Sequence, residues 1–501
     1  MAVRVVPGVA GPNLAPIWIP GVGPITASAT AANRDVPQGP GFRPPARADA
    51  VSAARSAASG SGPCNAAPPG MQRRNRVNRK IAALTAREIL DSRGWPTIKV
   101  TVRIEGGATA SASVPSGAST GQFEAHELRD GDPARYSGRG VLEAVANVER
   151  QIAPALIGVD AARQPEIDRL MCELDGTENK ARLGANAILG VSLAVARAAA
   201  EASEMPLYEY LGGPTARRLP VPMLNIINGG KHADSGLKMQ EFMIVPHGAP
   251  TYGEALRYGS ETYHALKGLL AEGGYGAGVG DEGGFAPRLR NDREALVLIV
   301  RAIETAGYEP GRQIAIALDP AATSFATDGG YALPELGGAH MTSDELLAVY
   351  DDWIAAFPIV SIEDGFAEDD WAAFTKQNMA MGDCVQIVGD DLYVTNPRFI
   401  QRGIDEKATN AVLIKPNQIG TVTETVAAIE LCRRAGLRYK FSHRSGETED
   451  AFVADFAVAM GGGQLKSGAP CRGERLAKYN RLLEIEHELG PDALFFSPFT
   501  V

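Results

Sequence analysis

Cysteine is scarce in this chain. Five occur in 501 residues, Cys64, Cys172, Cys384, Cys432 and Cys471, odd in number and without CxxC spacing. That pattern supports neither a disulfide framework nor a zinc site, and it fits a reducing compartment. Long apolar runs are missing too. No stretch of 18 or more apolar residues occurs, so no membrane span is expected. Positive charge is in deficit, with 49 Lys and Arg against 59 Asp and Glu and a net charge of −10. An acidic body of this kind argues against nucleic acid as the main partner.

The charge is unevenly distributed. Residues 1–80 hold ten Lys/Arg, Arg4 through Lys80, against Asp35 and Asp49, giving +8, and the remaining 421 residues carry −18. The first 70 or so residues are rich in Pro, Gly, Ala and Ser without periodicity, and disorder is expected over 1–79. Arginine enrichment resembles an organelle transit peptide, although the early prolines spoil the amphipathic helix such peptides form. No apolar core follows a basic start, so a secretory signal is not expected. A third reading takes Met71, just before RRNRVNRK, as the true initiator. That start, or a plain disordered tail, is the favoured reading. The expected location is cytoplasmic, with organelle targeting or a surface pool left open.

From about Lys80 to Gly213 the pattern changes. TIKVTVRIEG alternates like an antiparallel strand, ATASASVPSGAST runs into a Gly/Ser loop, and NAILGVSLAVARAAAEAS reads as a helix ending before Pro206. Strands followed by helices predict a small α+β domain over 80–213, with the boundary within GGPTARRLP at 212–220. The tail over 491–501 is apolar and aromatic, and the sequence alone assigns it no role.

In the second half, six short apolar runs stop at charged residues. They are IAIALD at Asp319, IVSIED at Glu363–Asp364, VQIVGDD at Asp390–Asp391, AVLIK at Lys415, YKFSHR at His443–Arg444 and GQLK at Lys466. From Glu363 onward the stops recur every 23 to 28 residues, with helix-like stretches between. Buried parallel strands read as continuous apolar runs, and a strand with its crossover helix takes about 30 residues. The serial unit predicts an α/β architecture over 214–490: a (β/α)8-type barrel with its chemistry at the strands' carboxyl ends. One charge after a strand is ordinarily a solvated loop residue. Six in series, an acidic arc followed by a basic one, suit a divalent cation beside an anionic substrate.

These runs lie among motifs that together resemble the enolase family over roughly residues 80–490. The matching stretches are AREILDSRG (86–94), VPSGASTG (114–121), GANAILGVSLA (184–194), QEFMIVP (240–246), GDEGGFAP (280–287), SIEDGFAEDDW (361–371), VGDDLYVTN (388–396), LIKPNQIGT (413–421), SHRSGETED (442–450) and KSGAP with ERLAKYN (466–480). The resemblance implies reversible dehydration of 2-phosphoglycerate to phosphoenolpyruvate. It also implies an enolase barrel behind a lid-bearing N-terminal domain, two Mg²⁺ per active site, and a homodimer or an octamer of dimers. A lysine or histidine base working with one or two Mg²⁺ is a general property of that superfamily.

By the same resemblance, Asp319, Glu363 and Asp390 hold the tighter Mg²⁺, and Asp391 is structural. Lys415 is the general base, and Lys466 contacts the substrate carboxylate. Glu282 is the proton donor, with Glu241 beside it to raise its pKa, and His232 assists at the phosphate or leaving-group side. His443, Arg444 and Ser445 form an anion-binding set, the guanidinium suiting a phosphate ester. The SGAST loop, 116–120, acts as a lid whose Ser119 ligates a second Mg²⁺. The chain departs from the family pattern at Trp95, Arg288, Ser324, Ser467, Cys471 and Gly473, which points to a divergent or secondary copy. Arg288 is the departure expected to matter most. Two other readings stay open: another superfamily enzyme acting on a different carboxylate, and an impaired copy kept for a binding or scaffold role. The combination of SHRSGETED, SGAST and GDEGG speaks against the first. A chain ending SPFTV lacks the C-terminal lysine expected for binding plasminogen.

Overall fold

The computed structural model describes residues 78–118, 121–333 and 340–499. The expected disorder of the N-terminal extension, up to residue 77, and the lid residue Ser119 both lie outside the described residues.

The chain first forms an antiparallel three-stranded sheet, β1 (Ile81–Leu90), β2 (Pro96–Ile104) and β3 (Thr109–Ser113). Alternation in TIKVTVRI puts Ile98, Val100, Val102 and Ile104 on one buried face. Against β2 and β3 lies α1 (Ala185–Ala202). Gly190 permits the approach: a Cβ there would meet Val100 Cγ2 at 2.7 Å. By length and composition α1 could cross a membrane, but 83% of it is buried inside the protein, as a core helix should be.

Eight strands then close into a barrel: β4 (Val221–Asn228), β5 (Glu241–Val245), β6 (Ala315–Asp319), β7 (Ile359–Glu363), β8 (Gln386–Gly389), β9 (Ala411–Ile414), β10 (Arg438–Ser442) and β11 (Gln464–Lys466). The six apolar runs are β6 to β11. From β6 to β11, and from β11 back to β4, the pairings are parallel. β5 alone runs antiparallel to both neighbours. It follows β4 directly, and two helices, α2 (Tyr252–Glu272) and α3 (Asp292–Thr305), then precede β6. The barrel therefore departs from strict strand–helix alternation at its start. The reversal has a chemical consequence, because Glu241, the first residue of β5, registers with Asn228 and with Asp319 at the carboxyl ends of their strands.

Further helices pack outside: α4 (Ser343–Ala356), α5 (Trp371–Met381), α6 (Pro397–Glu406), α7 (Val422–Ala435), α8 (Phe452–Met460) and α9 (Gly473–Leu489). Most start at a side-chain cap, and Thr342 with Glu345 forms a full capping box before α4. The C-terminal tail closes the opposite end of the barrel. Phe499 packs with Val221, Met223, Met243, Val245, Ala315 and Ala317, and Ser497 Oγ lies 3.0 Å from His247 Nδ1. The aromatic tail is thus a plug, a role invisible without the fold.

Polar contacts tie the N-terminal sheet and its helices to the barrel. Arg197 grips Asp450 at 2.6 and 2.7 Å, and Lys180 meets Glu424 at 2.9 Å. Ser116 and Gly446 exchange a pair of backbone hydrogen bonds at 2.8 Å, tying the chain before Ser119 to the loop after β10.

Candidate active site

At the mouth, a narrow polar cleft of about 20 Å³ is lined by His232, Gln240, Glu241, Glu282, Asp319, Lys415, Ser442, His443, Arg444, Ser445 and Lys466. Glu363 and Asp390 lie against it, buried. The described residues to which the resemblance gives catalytic, substrate or metal roles therefore lie together here. A wider cleft, about 320 Å³, is lined by residues including Gly117, Gly121, Glu124 and Asn417.

Lys466 is the centre of charge. From β11 its ammonium reaches Glu363 Oε1 at 2.6 Å, Asp319 Oδ2 at 2.9 Å and Glu241 Oε1 at 3.2 Å. β11 and β7 face each other across the ring, so this ammonium spans the barrel mouth. Glu363 Oε2 is held by a second buried ammonium, Lys440, at 2.6 Å. Despite burial, Lys440 and Lys466 hold the Glu363 carboxyl far below its ordinary range. Asp319 goes the other way, pushed up to about 7 by burial and by the Glu363 charge.

Asp390 pairs with Lys415, and its other oxygen accepts from Gln418 Nε2 at 2.9 Å. Beneath it, Asp364 adopts a positive φ of 42° and accepts the backbone N–H groups of Asp390 and Asp391 at 2.8 and 2.7 Å. Asp364 thereby shapes the strand-end turn. Burial and the adjacent Asp390 charge push Asp391 up to about 8. Burial pulls Lys415 down, but Asp390 outweighs it and leaves the ammonium raised. Arg444 and Lys466 push towards the neutral amine.

The ligand atoms of His232, Glu241 and Glu282 lie within 4.8 Å of one another, as do those of Asp364, Asp390 and Asp391. Asp319 and Glu363 are brought together instead by the shared Lys466 ammonium. Glu282 accepts from Asn225 Nδ2 at 3.0 Å and faces His443 Nε2 at 3.2 Å. Arg475 donates to His443 Nδ1 at 2.7 Å, so the ring proton belongs on Nε2, facing Glu282. Burial acts to raise Glu282, yet His232, His443 and Arg475 outweigh it and keep its carboxyl well below the usual range. Burial, with the Glu282 charge beside it, pushes Glu241 well up. The two carboxyls of this acid pair are thus driven in opposite directions, Glu241 up and Glu282 down. The physical reason is that Glu282 collects the N–H donors.

Arg444, one of the three residues expected to bind an anion, already grips one. Arg444 clamps Glu124 with two nitrogens, at 3.0 and 3.1 Å, the fork geometry a phosphate ester also takes. Ser445 Oγ accepts from Ala118 N at 2.6 Å, joining the SGAST segment to the barrel loop.

Sequence reasoning missed Lys440, Glu124, Gln418 and Arg475, and it named Asp364 at its strand end without giving it a role. A lysine within the apolar run YKFS was a readable signal. Glu124 reaches Arg444 across 320 residues of chain and Arg475 reaches His443 across 32, contacts that no local pattern records. Among the family departures, Trp95 stacks with the Arg139 guanidinium at 4.4 Å. Arg288 is 82% exposed and meets the fully exposed Asp234 at 3.6 Å, a surface pair of little energetic weight. Nothing in the structure explains the exposed Ser324.

Comparison with known proteins agrees with this geometry. The family description "Enolase, N-terminal domain" matches residues 81–211, and "Enolase, C-terminal TIM barrel domain" matches 216–498. The chain is 62% identical over 416 residues to "Enolase 1" of Methylococcus capsulatus, covering 83% of this chain and 99% of that protein. It is 60% identical over 418 residues to the "Enolase" of Desulfotalea psychrophila, again covering 83% and 99%. With the "Enolase" of Acidothermus cellulolyticus it shares 59% identity over 415 residues, covering 83% and 96%. With both halves of the fold matched and these relatives covered almost end to end, the chain belongs to the enolase family.

Proposed function

We propose that the protein is a phosphopyruvate hydratase, interconverting 2-phospho-D-glycerate and phosphoenolpyruvate in glycolysis and gluconeogenesis. One observation carries the reading: Lys415 at the end of β9 and Glu241 at the start of β5 stand on diametrically opposite strands of one ring. A base on one wall thus faces an acid pair on the other, across the Lys466 ammonium. Removing a proton next to a carboxylate builds a dianionic enolate, which needs a base, concentrated positive charge and an acid for the departing hydroxide.

The donor set suits a divalent cation. Asp319, Glu363 and Asp390 offer hard carboxylate oxygens, and the Lys466 ammonium against Asp319 and Glu363 is itself a cation in their grip. We assign these three to one Mg²⁺ and Ser119 of the lid to a second. When bound, the ions supply positive charge against which the enolate can form.

Lys415 takes the α-proton. Its ammonium is stabilised mainly by Asp390, so it becomes a base when that carboxylate is engaged elsewhere, with Arg444 and Lys466 pressing it towards neutrality. Lys466 binds the substrate carboxylate. Glu282, sharing one proton with Glu241, protonates the leaving hydroxyl, and His232 closes that side. Arg444, His443 and Ser445 take the phosphate, displacing Glu124 from the guanidinium. The lid segment then excludes water.

The same proposal takes 80–213 as the lid-bearing domain, 214–490 as the catalytic barrel and 491–501 as the tail. It places a homodimer, or an octamer of dimers, in the cytoplasm, where the free thiols of Cys172, Cys384, Cys432 and Cys471 are at home. The test is the absorbance of phosphoenolpyruvate formed from 2-phosphoglycerate. Magnesium-dependent product that vanishes with chelator is expected, and no product at saturating magnesium defeats the reading.

A further inference from the structure

Lys440 is a charged residue in the middle of an apolar strand, and neither its side chain nor that of Glu363 has any solvent exposure. Its ammonium lies 2.6 Å from Glu363 Oε2, while Lys466 lies 2.6 Å from Oε1 of the same carboxylate. Strand register sets their heights. Ser442 is opposite Lys466, and Lys440, two residues earlier on β10, is opposite Leu413. Inward-facing residues alternate along a strand, so Lys440 rises from one level deeper in the barrel. One carboxylate is therefore divided between two ammoniums, the rim cation on Oε1 and the deep cation on Oε2.

The two ammoniums differ in their alternatives. Lys466 also holds Asp319 and Glu241, so it can give up Oε1 without being stranded. The ion pair of Lys440 is with Glu363, and a buried ammonium deprived of its counter-charge is strongly disfavoured. The contact is close but poorly aligned as a hydrogen bond, so charge holds it.

We propose that Lys440 is a positioning residue that keeps Glu363 Oε2 out of the ligand shell, so that Glu363 offers a divalent cation one oxygen only. Small, strictly six-coordinate Mg²⁺ tolerates single-oxygen carboxylates, whereas larger Ca²⁺ gains from carboxylates that bind through both oxygens. Lys440 thereby biases the site towards the smaller ion. This inference rests on Glu363 being a metal ligand, as proposed above.

Calorimetric titration of chelator-stripped full-length protein with MgCl₂ and with CaCl₂ tests it. In Lys440→Met, the ratio of calcium to magnesium affinity should rise at least about threefold over wild type, because Glu363 regains its second oxygen. A ratio changed by less than about threefold, with magnesium still bound, overturns the role of Lys440. Glu363→Gln separates the two readings: if it leaves magnesium affinity unaltered, the ligand assignment itself is wrong. Should Lys440→Met not fold, Lys440→Gln carries the same comparison. The wild-type structure with Mg²⁺ bound gives a further readout: Glu363 on the ion through Oε1 alone supports the inference, and coordination through both oxygens defeats it.

Discussion

Lys466 and Arg444 are both buried cations gripping carboxylates in one cleft, yet they are held there by different means. Lys466 and its partners Asp319, Glu363 and Glu241 stand on strands, and the barrel register fixes their heights to within one residue. Arg444 sits on a loop after β10, and its partner Glu124 comes from the segment just beyond SGAST, 320 residues away in sequence. The strand-built half is a charge lattice whose members the barrel holds at fixed heights, so that several carboxylates share one ammonium. The loop-built half is assembled across two segments and can exchange one anion for another. This division suits an enzyme that must keep its cation site fixed while its substrate comes and goes.

Breaking the strand-built half should produce the largest effect. Asp319→Asn removes one of the carboxylates around Lys466 while Glu363 and Glu241 still hold the ammonium. Magnesium affinity should fall at least about a hundredfold by calorimetry, with little change in the far-ultraviolet circular dichroism. An affinity within a few-fold of wild type would mean that the lattice is structural only.

His443 links the two halves, since it follows β10 and faces Glu282. Burial pushes its imidazole down to about 4 from an ordinary 6.5. The unfolded chain therefore binds this proton as pH falls below about 6.5, while the folded chain does not until about 4. The associated stability is complete above 6.5 and is lost as pH falls through that window, by about 3 kcal/mol. Denaturant titrations at pH 7 and pH 4.5 should show His443→Gln losing less stability than wild type between the two. An equal loss would place the pH dependence elsewhere.

Glu124→Gln probes the exchangeable half and should have the smallest effect. Without a full charge on Arg444, inorganic phosphate should inhibit up to about tenfold more strongly, and KM for 2-phosphoglycerate should fall. Unchanged inhibition would show that Glu124 does not compete for the guanidinium.

The same division decided how much could be read from the sequence. Each apolar run from β6 to β11 ends at the charged residue that its strand delivers to the mouth, so Asp319, Glu363, Asp390, Lys415, His443 and Lys466 were legible one strand at a time. Glu241 was not legible that way, because β5 runs backwards and presents its first residue rather than its last; only the family resemblance placed it. Lys440 was missed because a strand-end pattern looks at ends, and this lysine works from the middle of a strand. The Arg444–Glu124 clamp and the Arg475–His443 contact depend on tertiary closure, to which local periodicity is blind.

The opposed base and acid are tested most directly by exchange of the C2 proton of 2-phosphoglycerate with deuterated solvent, followed by NMR in Lys415→Ala and Glu282→Gln. Lys415→Ala should lose exchange by about 10²- to 10⁴-fold, while Glu282→Gln should exchange at near wild-type rate although its overall dehydration is slowed by a similar factor. Exchange that survives in Lys415→Ala, or that disappears equally in both variants, would contradict the assignment of base and acid to opposite walls of the barrel.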